Sequence, residues 1–351
     1  MNIGIFLPNW IGDTVMATPT LRALRRHFGP AARLTGVLRP YLADVLAGTQ
    51  WLDEQIFFDP RSRDRALGSL SLAKQLRARR LDKLVLLTNS FRSGLIGWVS
   101  RARERVGYVR YGRGPMLTTR LHAPRAGRKW LPTPAIDSYL QLAYATGCPT
   151  EPPRLELETM PADEEAADVL WRKLRLPAGD QVVVLNSGGA FGAAKHWPAE
   201  YFGELARRIA TEEKLAVLVN CGPNERQIAA NIVRAANHPG VVGMSDEERL
   251  PIGLTKACIR RSRLLVSTDS GPRFFAAAFG VPVVSLFGPT HVEWSQTHYA
   301  GEVCLAHDVP CGPCMQRTCP LGHHRCMREL TVDLVHRAVS TLLESGCRFA
   351  A

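Results

Sequence analysis

The sequence predicts an α/β protein built on two parallel sheets, and three observations carry that expectation. Short β-branched or Leu-rich runs alternate with segments of helical period. A proline- and acid-rich stretch, residues 148–162 (CPTEPPRLELETMPA), interrupts the alternation as a connector would. At 351 residues, 46% hydrophobic and 22% charged, the chain can bury two ordinary cores and is not composed like a disordered protein.

In the first half the strand candidates are residues 3–7 and 84–87; in the second they are 182–185, 216–219, 264–266 and 283–286. Helical spacing covers residues 17–27, 199–210, 226–236 and 332–343. The expected domains are 1–160 and 161–330, followed by a C-terminal segment, 331–351, whose helix could return to the N-terminal domain. No short internal repeat points to a solenoid.

The N-terminus lacks the pattern of a secretory leader, and no apolar run approaches bilayer length. A cytoplasmic protein with at most peripheral membrane contact is therefore expected. Nine cysteines without an export signal point to reduced thiols. The net charge is +12, and between residues 101 and 129 nine cations (Arg101, Arg103, Arg105, Arg110, Arg113, Arg120, Arg125, Arg128, Lys129) face one acid, Glu104. Such a stripe attracts phosphates, though a basic face that only keeps a protein soluble would look the same.

Four stretches carry candidate chemistry. In PNWIGDTVMATPTLRALRRHF, a strand is followed by a turn at Gly12 and a helix, with Asp13 at the junction as helix cap or reactive carboxylate. VVVLNSGGAFGAAKHWP is a strand, a small-residue loop (Ser187, Gly188, Gly189), then Lys195 and a helix start. Its free amides, with an ammonium nearby, suit a phosphate, although glycines also serve a plain turn. It lacks the Gly-Lys-Ser/Thr ending of a Walker A loop. In LLVSTDSGPRFFAAAFGVPVVSLFGPT, Asp269, Ser270 and Gly271 lie between a buried strand and a small-residue helix, at the edge where open α/β sheets bind ligands. Local capping explains an Asp-Ser pair equally well. VNCGPNERQ is a third strand-end loop, where Glu225 could take sugar hydroxyls or answer the helix dipole.

Together with the cysteine-rich tail, these stretches resemble the ADP-heptose:lipopolysaccharide heptosyltransferases, closest to the heptosyltransferase II type, over nearly the whole chain. The resemblance implies a GT-B glycosyltransferase: two Rossmann-like domains facing across a cleft, acceptor on the N-terminal domain and ADP-sugar on the C-terminal one. It implies metal-independent, inverting transfer of heptose to the lipopolysaccharide inner core, with Asp13 as general base. Lys195, the Ser187–Gly189 amides and the helix start at Ser270 and Gly271 would offset the charge of the leaving diphosphate. By motif, Glu225 would bind ribose, Asp269 the donor sugar, and Met244 with Ser245 the adenine, although Met244 also reads as core. The family commonly carries a histidine where this chain has Phe274, and a phenyl ring cannot replace an imidazole; Arg273 is a candidate substitute. The basic stripe would meet the phosphorylated acceptor and the anionic inner leaflet of the cytoplasmic membrane.

The tail reads Cys311-x2-Cys314-x4-Cys319-x6-Cys326, with His323 and His324 close by. Four thiols in this span could close a structural zinc site, or could be unliganded, since the spacing is not that of paired Cys-x2-Cys knuckles. A basic nucleic-acid-binding protein is the rival from another class, but no recognition helix or stacking motif supports it. A dinucleotide oxidoreductase fails at the first strand, which no G-x-G-x-x-G follows. A transferase of the same fold for another nucleotide sugar or acceptor remains open.

Overall fold

In the computed structural model, which describes residues 1–127, 129–189 and 191–345, the chain forms two units. The first comprises Met1–Glu158 with Glu293–Thr297; the second comprises Thr159–Val292 and the chain from His298. Arg128, one cation of the basic stripe, and residues 346–351 of the C-terminal segment lie outside the described residues.

The first unit runs β1 (Asn2–Phe6), α1 (Ile11–Met16), α2 (Thr18–Phe28), β2 (Arg33–Leu38), α3 (Ala43–Leu46), β3 (Glu54–Phe57), α4 (Ser69–Ala78), β4 (Lys83–Leu86) and α5 (Phe91–Val99). It continues with β5 (Glu104–Tyr108), β6 (Thr119–Leu121), the short ribbon β7 (Arg125–Ala126) and β8 (Lys129–Trp130), and α6 (Ala135–Tyr144). Its main sheet is parallel throughout, in the order β3-β2-β1-β4-β5-β6. The order reverses at β1, so the loop after that strand leaves the sheet at its switch point, and Asp13 follows within one helical turn. Phe6, Val37, Ile56 and Leu84 belong to the core of this sheet, with Phe58 edge-on to Phe6 at 5.5 Å.

One long helical period after β1 becomes two helices, because the chain turns at Ala17 between α1 and α2. Pro19 in the first turn of α2 and Arg25, Arg26 and His27 in its last turn suit the helix dipole, and Gly29 ends it at φ 68°. Arg22 of α2 is buried and donates to Glu151, Glu156 and the carbonyls of Pro152 and Arg154. The connector is thus pinned to α2 by the acids that mark it in the sequence.

The second unit runs α7 (Pro161–Leu174), β9 (Val182–Asn186), α8 (Ala199–Glu212), β10 (Ala216–Asn220), α9 (Arg226–Ala236), β11 (Val241–Gly243), α10 (Ile252–Arg261) and β12 (Leu264–Thr268). Then come α11 (Gly271–Phe279), β13 (Val283–Phe287), β14 (Glu302–Ala306), α12 (Arg325–Arg328) and α13 (Val332–Glu344). Its parallel sheet has the order β11-β10-β9-β12-β13-β14, equivalent to that of the first unit. β9, β12 and β13 are buried along their whole length, which explains their continuous apolar runs. Helix α13 packs on α8, β12 and β13 of the second unit. Among the described residues no helix is long and apolar enough to cross a membrane.

Candidate active site

The strand order of the second unit reverses at β9, whose neighbours are β10 and β12. Their ends lie in register: Asn186 pairs with Asn220 on one side and Ser267 on the other. A polar network spans this edge. Asn186 donates from Nδ2 to Ser270 Oγ at 3.0 Å and accepts from Asn220 Nδ2 at 2.8 Å. Thr268 Oγ1 donates to the Gly188 carbonyl at 2.9 Å. Buried polar groups hold a loop this firmly only where their hydrogen bonds are satisfied.

Three of the predicted loops meet here. Glu225 accepts from the Gly222 amide at 2.8 Å, so it does cap its own turn, but its carboxyl also lies over Gly188. A Cβ on Gly188 would stand 2.0 Å from that carboxyl, and one on Gly189 would be 3.1 Å from Ser270 Cβ. The two glycines thus admit the close approach of Glu225 and Ser270. Ser270 precedes α11 as its N-cap in extended conformation without using its side chain as a cap, and Gly271 opens that helix. Ser187 Oγ is buried with no hydrogen-bond partner among the described residues. Met244 is fully buried and presents no surface, whereas the half-buried Ser245 directs its hydroxyl to Asp246 and its carbonyl to Arg226.

Lys195 reaches Asp269, donating to its carboxylate at 2.5 Å and to its carbonyl at 2.9 Å, with the Phe191 ring 4.6 Å from the ammonium. Asp269 also accepts from Thr290 Oγ1 at 2.7 Å and from Arg273 at 3.2 Å. Burial by itself would push the Asp269 carboxyl up; the charges of Arg273 and Lys195, with the hydrogen bonds from Lys195 and Thr290, reverse this and hold it below the usual carboxylate range. Arg273 is wholly buried and bound to Glu302 as well as Asp269, so it is a structural cation and offers no substitute for the missing histidine. Phe274 packs against that guanidinium, 4.5 Å from its ring centre. Asn186, Asn220 and Thr290 lie inside the stretches singled out in the sequence but were not picked from them, because their partners are set by strand register and tertiary packing; Glu302 lies outside all four stretches.

Asp13 stands in the first turn of α1 but is not its cap; that position is Trp10, which makes no side-chain cap bond. Tyr139 of α6 donates its hydroxyl to Asp13 Oδ1 at 3.1 Å. Burial first, then the charge of Asp13 and this hydrogen bond, raise the Tyr139 pKa well above that of free tyrosine, so the phenol stays a neutral donor. Tyr139, 126 positions further along the chain, was also invisible to sequence reasoning.

The basic stripe needs one correction. Arg113 is wholly buried and donates to the carbonyls of Thr88 and Tyr108 and to Asn89 Oδ1, so it fastens a turn instead of meeting phosphate. Burial pushes its guanidinium down to about 10.

The cysteine segment packs beside Lys195. The Ala194 amide donates to the Arg317 carbonyl at 3.0 Å, and His324 Nε2 lies 2.7 Å from the Ala194 carbonyl. Gly192, at φ 147°, has no room for a side chain, since a Cβ would lie 2.4 Å from the Arg317 carbonyl oxygen. Cys311, Cys314, Cys319 and Cys326 line one cavity of about 20 Å³, room for a single small ion, with His323 and His324 at its wall. As the side chains stand, no group of three or more His, Cys, Asp or Glu among the described residues is gathered to hold a metal.

Two parallel α/β units of equivalent strand order are consistent with the GT-B architecture, and the family to which the chain belongs makes it a glycosyltransferase. The chain belongs to glycosyltransferase family 9 (heptosyltransferase), whose sequence profile matches residues 69–325. It is 25% identical to lipooligosaccharide heptosyltransferase 2 of Campylobacter jejuni over 349 residues, 99% of each chain. It is likewise 25% identical to lipopolysaccharide heptosyltransferase 2 of Escherichia coli K12 over 368 aligned positions, 98% of this chain and 99% of the other. Among solved structures, a family 9 glycosyltransferase from Veillonella parvula superposes with a TM-score of 0.81 at 23% identity, covering 98% of this chain and 97% of that one.

Proposed function

We propose that the protein transfers heptose from ADP-heptose to the inner core of lipopolysaccharide, with inversion at the anomeric carbon and without a catalytic metal. The observation that carries this reading is the convergence of Ser187, Gly188, Gly189, Glu225 and Ser270 on the β9–β12 switch point, with Lys195 held at the same edge, in a chain of this family. The amides of the glycine loop and the start of α11 take the diphosphate, and Glu225 takes ribose hydroxyls. Met244 and Ser245 border the adenine, Met244 from beneath the surface.

In the proposed step an acceptor hydroxyl oxygen attacks the anomeric carbon while the bond from that carbon to the β-phosphate oxygen breaks. Asp13 takes the hydroxyl proton, and Tyr139 holds the carboxylate. Lys195 uses two of its three N–H donors on Asp269, which leaves one for the developing phosphate charge. Asp269, expected at the donor sugar, is better read as the residue that positions Lys195. An acceptor carried on lipid A would bring the enzyme to the anionic inner leaflet as a peripheral protein.

For the cysteine segment we propose a structural zinc on Cys311, Cys314, Cys319 and Cys326, reached by side-chain rotation into their common cavity. Its part would be to keep Arg317 and His324 against Ala194. Metal analysis of purified protein should find about one zinc per chain; metal-free protein of undiminished thermal stability would remove it.

The reaction is tested by NMR of the product formed from the β-configured donor. An α-linked heptose formed at an EDTA-independent rate is expected; a retained configuration, or a rate abolished by EDTA and restored by a divalent ion, would overturn the mechanism.

A further inference from the structure

Helix α5 is packed the wrong way round for a helix that serves only its own core. Its small residues Ser93, Gly94 and Gly97 are buried with Ile96, and its large ones face outward. Phe91, Leu95, Trp98 and Val99 are 50, 39, 57 and 39% exposed, and they fall at i, i+4, i+7 and i+8 on one face. The buried glycines explain the close packing: a Cβ on Gly94 would come within 2.7 Å of Arg113 Cβ, and one on Gly97 within 3.1 Å of Leu84. The turn at Tyr111 extends the patch, since a Cβ on Gly112 would touch the Phe91 ring and Tyr111 is 69% exposed.

Cations frame this stripe. Arg92 is exposed on α5, and Arg101 and Arg103 follow its end. Arg101 occupies a left-handed position, φ 59°, that usually falls to glycine. Neither Arg92 nor Arg101 has an acidic partner among the described residues, and Glu104, the one acid of the stretch, is taken up by Lys83 and Thr119. A protein partner would require a matching apolar face with acidic rim; a lipid surface supplies both properties everywhere. Aromatic rings suit the interface between headgroups and chains, and each flanking cation adds roughly fivefold to affinity for an anionic surface.

We propose that the outer face of α5, with the Tyr111 turn, is the surface by which this protein docks on an anionic phospholipid bilayer. This deepens the reading of a lipid-borne acceptor but does not depend on the chemistry of transfer. The apolar side chains enter the headgroup boundary, and Arg92 and Arg101 meet lipid phosphates, whereas Arg103 is paired with Asp82.

The test is vesicle flotation of the full chain with phosphatidylcholine alone and with added phosphatidylglycerol. Binding at least tenfold stronger to the anionic vesicles is expected, weakening with salt. Phe91→Ser/Leu95→Ser/Trp98→Ser should lose at least tenfold of that binding, and Arg92→Ser/Arg101→Ser roughly twentyfold, with a shallower salt dependence. Both variants should keep the parent melting temperature within a few degrees and release ADP normally with a delipidated, soluble acceptor. Failure of the parent protein to bind vesicles, or equal binding by the folded triple variant, overturns the proposal. So does a parent dimer that the triple variant dissolves without any vesicle binding, which would make the stripe a contact between copies. Absence of transfer by the parent protein to the soluble acceptor would instead overturn the reaction proposed above and leave the vesicle result intact.

Discussion

Asp13 and Lys195 are the side chains on which the account is most exposed. Replacing Asp13 by Asn removes the proposed proton acceptor while keeping the shape of the α1 start, so kcat should fall at least ~10³-fold with ADP affinity unchanged within about threefold. Equal loss of ADP binding and thermal stability would make Asp13 structural. Tyr139→Phe should lower kcat about tenfold through a misplaced carboxylate, measured against an unchanged donor KM. Gly188→Ala forces aside the carboxyl of Glu225, the mobile end of a side chain, so it should raise donor KM about tenfold and cost less than about 1 kcal/mol of stability. Lys195→Met leaves Asp269 with Arg273 and Thr290, and should cost about 1–3 kcal/mol in urea unfolding along with most of kcat. Because the Asp269 carboxyl is held below its unfolded range, its contribution to stability is complete above about pH 4 and disappears as pH falls through the depressed value. The stability gap between the parent protein and Asp269→Asn should therefore be constant from pH 5 to 8 and close in acid. Asp13, Lys195, Glu225 and Asp269 could be singled out as candidates in the sequence because each lies in the segment that follows a buried strand, at most nine residues beyond its end. Tyr139 and Glu302 were not, since each reaches its partner through tertiary packing alone.

The elements that hold these residues were legible in proportion to their burial. β9, β12 and β13, wholly buried, read as apolar runs, whereas the half-exposed β14 and the short β3 and β6 carry charges that hide them. Helix α5 escaped notice because its large residues lie on the outside, and its glycines are the ones that pack. The connector was visible as proline and acid, but its anchor was not: Arg22 lies inside an amphipathic helix pattern, where a cation is expected on the solvent side. Truncating Arg22 to Met should cost about 3–5 kcal/mol, because the carboxylate of Glu151 loses its buried partner. Urea unfolding followed by tryptophan fluorescence would register this as a lower midpoint; an unchanged midpoint would mean that Arg26 alone satisfies Glu151. The cysteine segment is the element whose function is least apparent from its composition. Its contacts to Ala194 make it the support of the Lys195 loop, and His324→Ala should accordingly raise donor KM a few-fold without touching any proposed ligand.

For the molecule as a whole, two sheets of the same strand order carry different side chains beyond their switch strands. The first unit has a carboxylate after its switch strand, and the second has a glycine loop, an ammonium and a helix start after its own. That division is what a transferase needs, because one end of the reaction must accept a proton and the other must accept negative charge. The duplication was legible from alternation and the central connector. Which nucleotide the second unit selects is not written in any short motif, because Met244 is buried and Ser245 is a common residue. The direct measurement is nucleotide release by the purified protein from a panel of ADP-, GDP- and UDP-sugars, with a truncated lipopolysaccharide core as acceptor. The account predicts acceptor-dependent ADP release from ADP-heptose and little from the others; release from UDP- or GDP-sugars alone would contradict it.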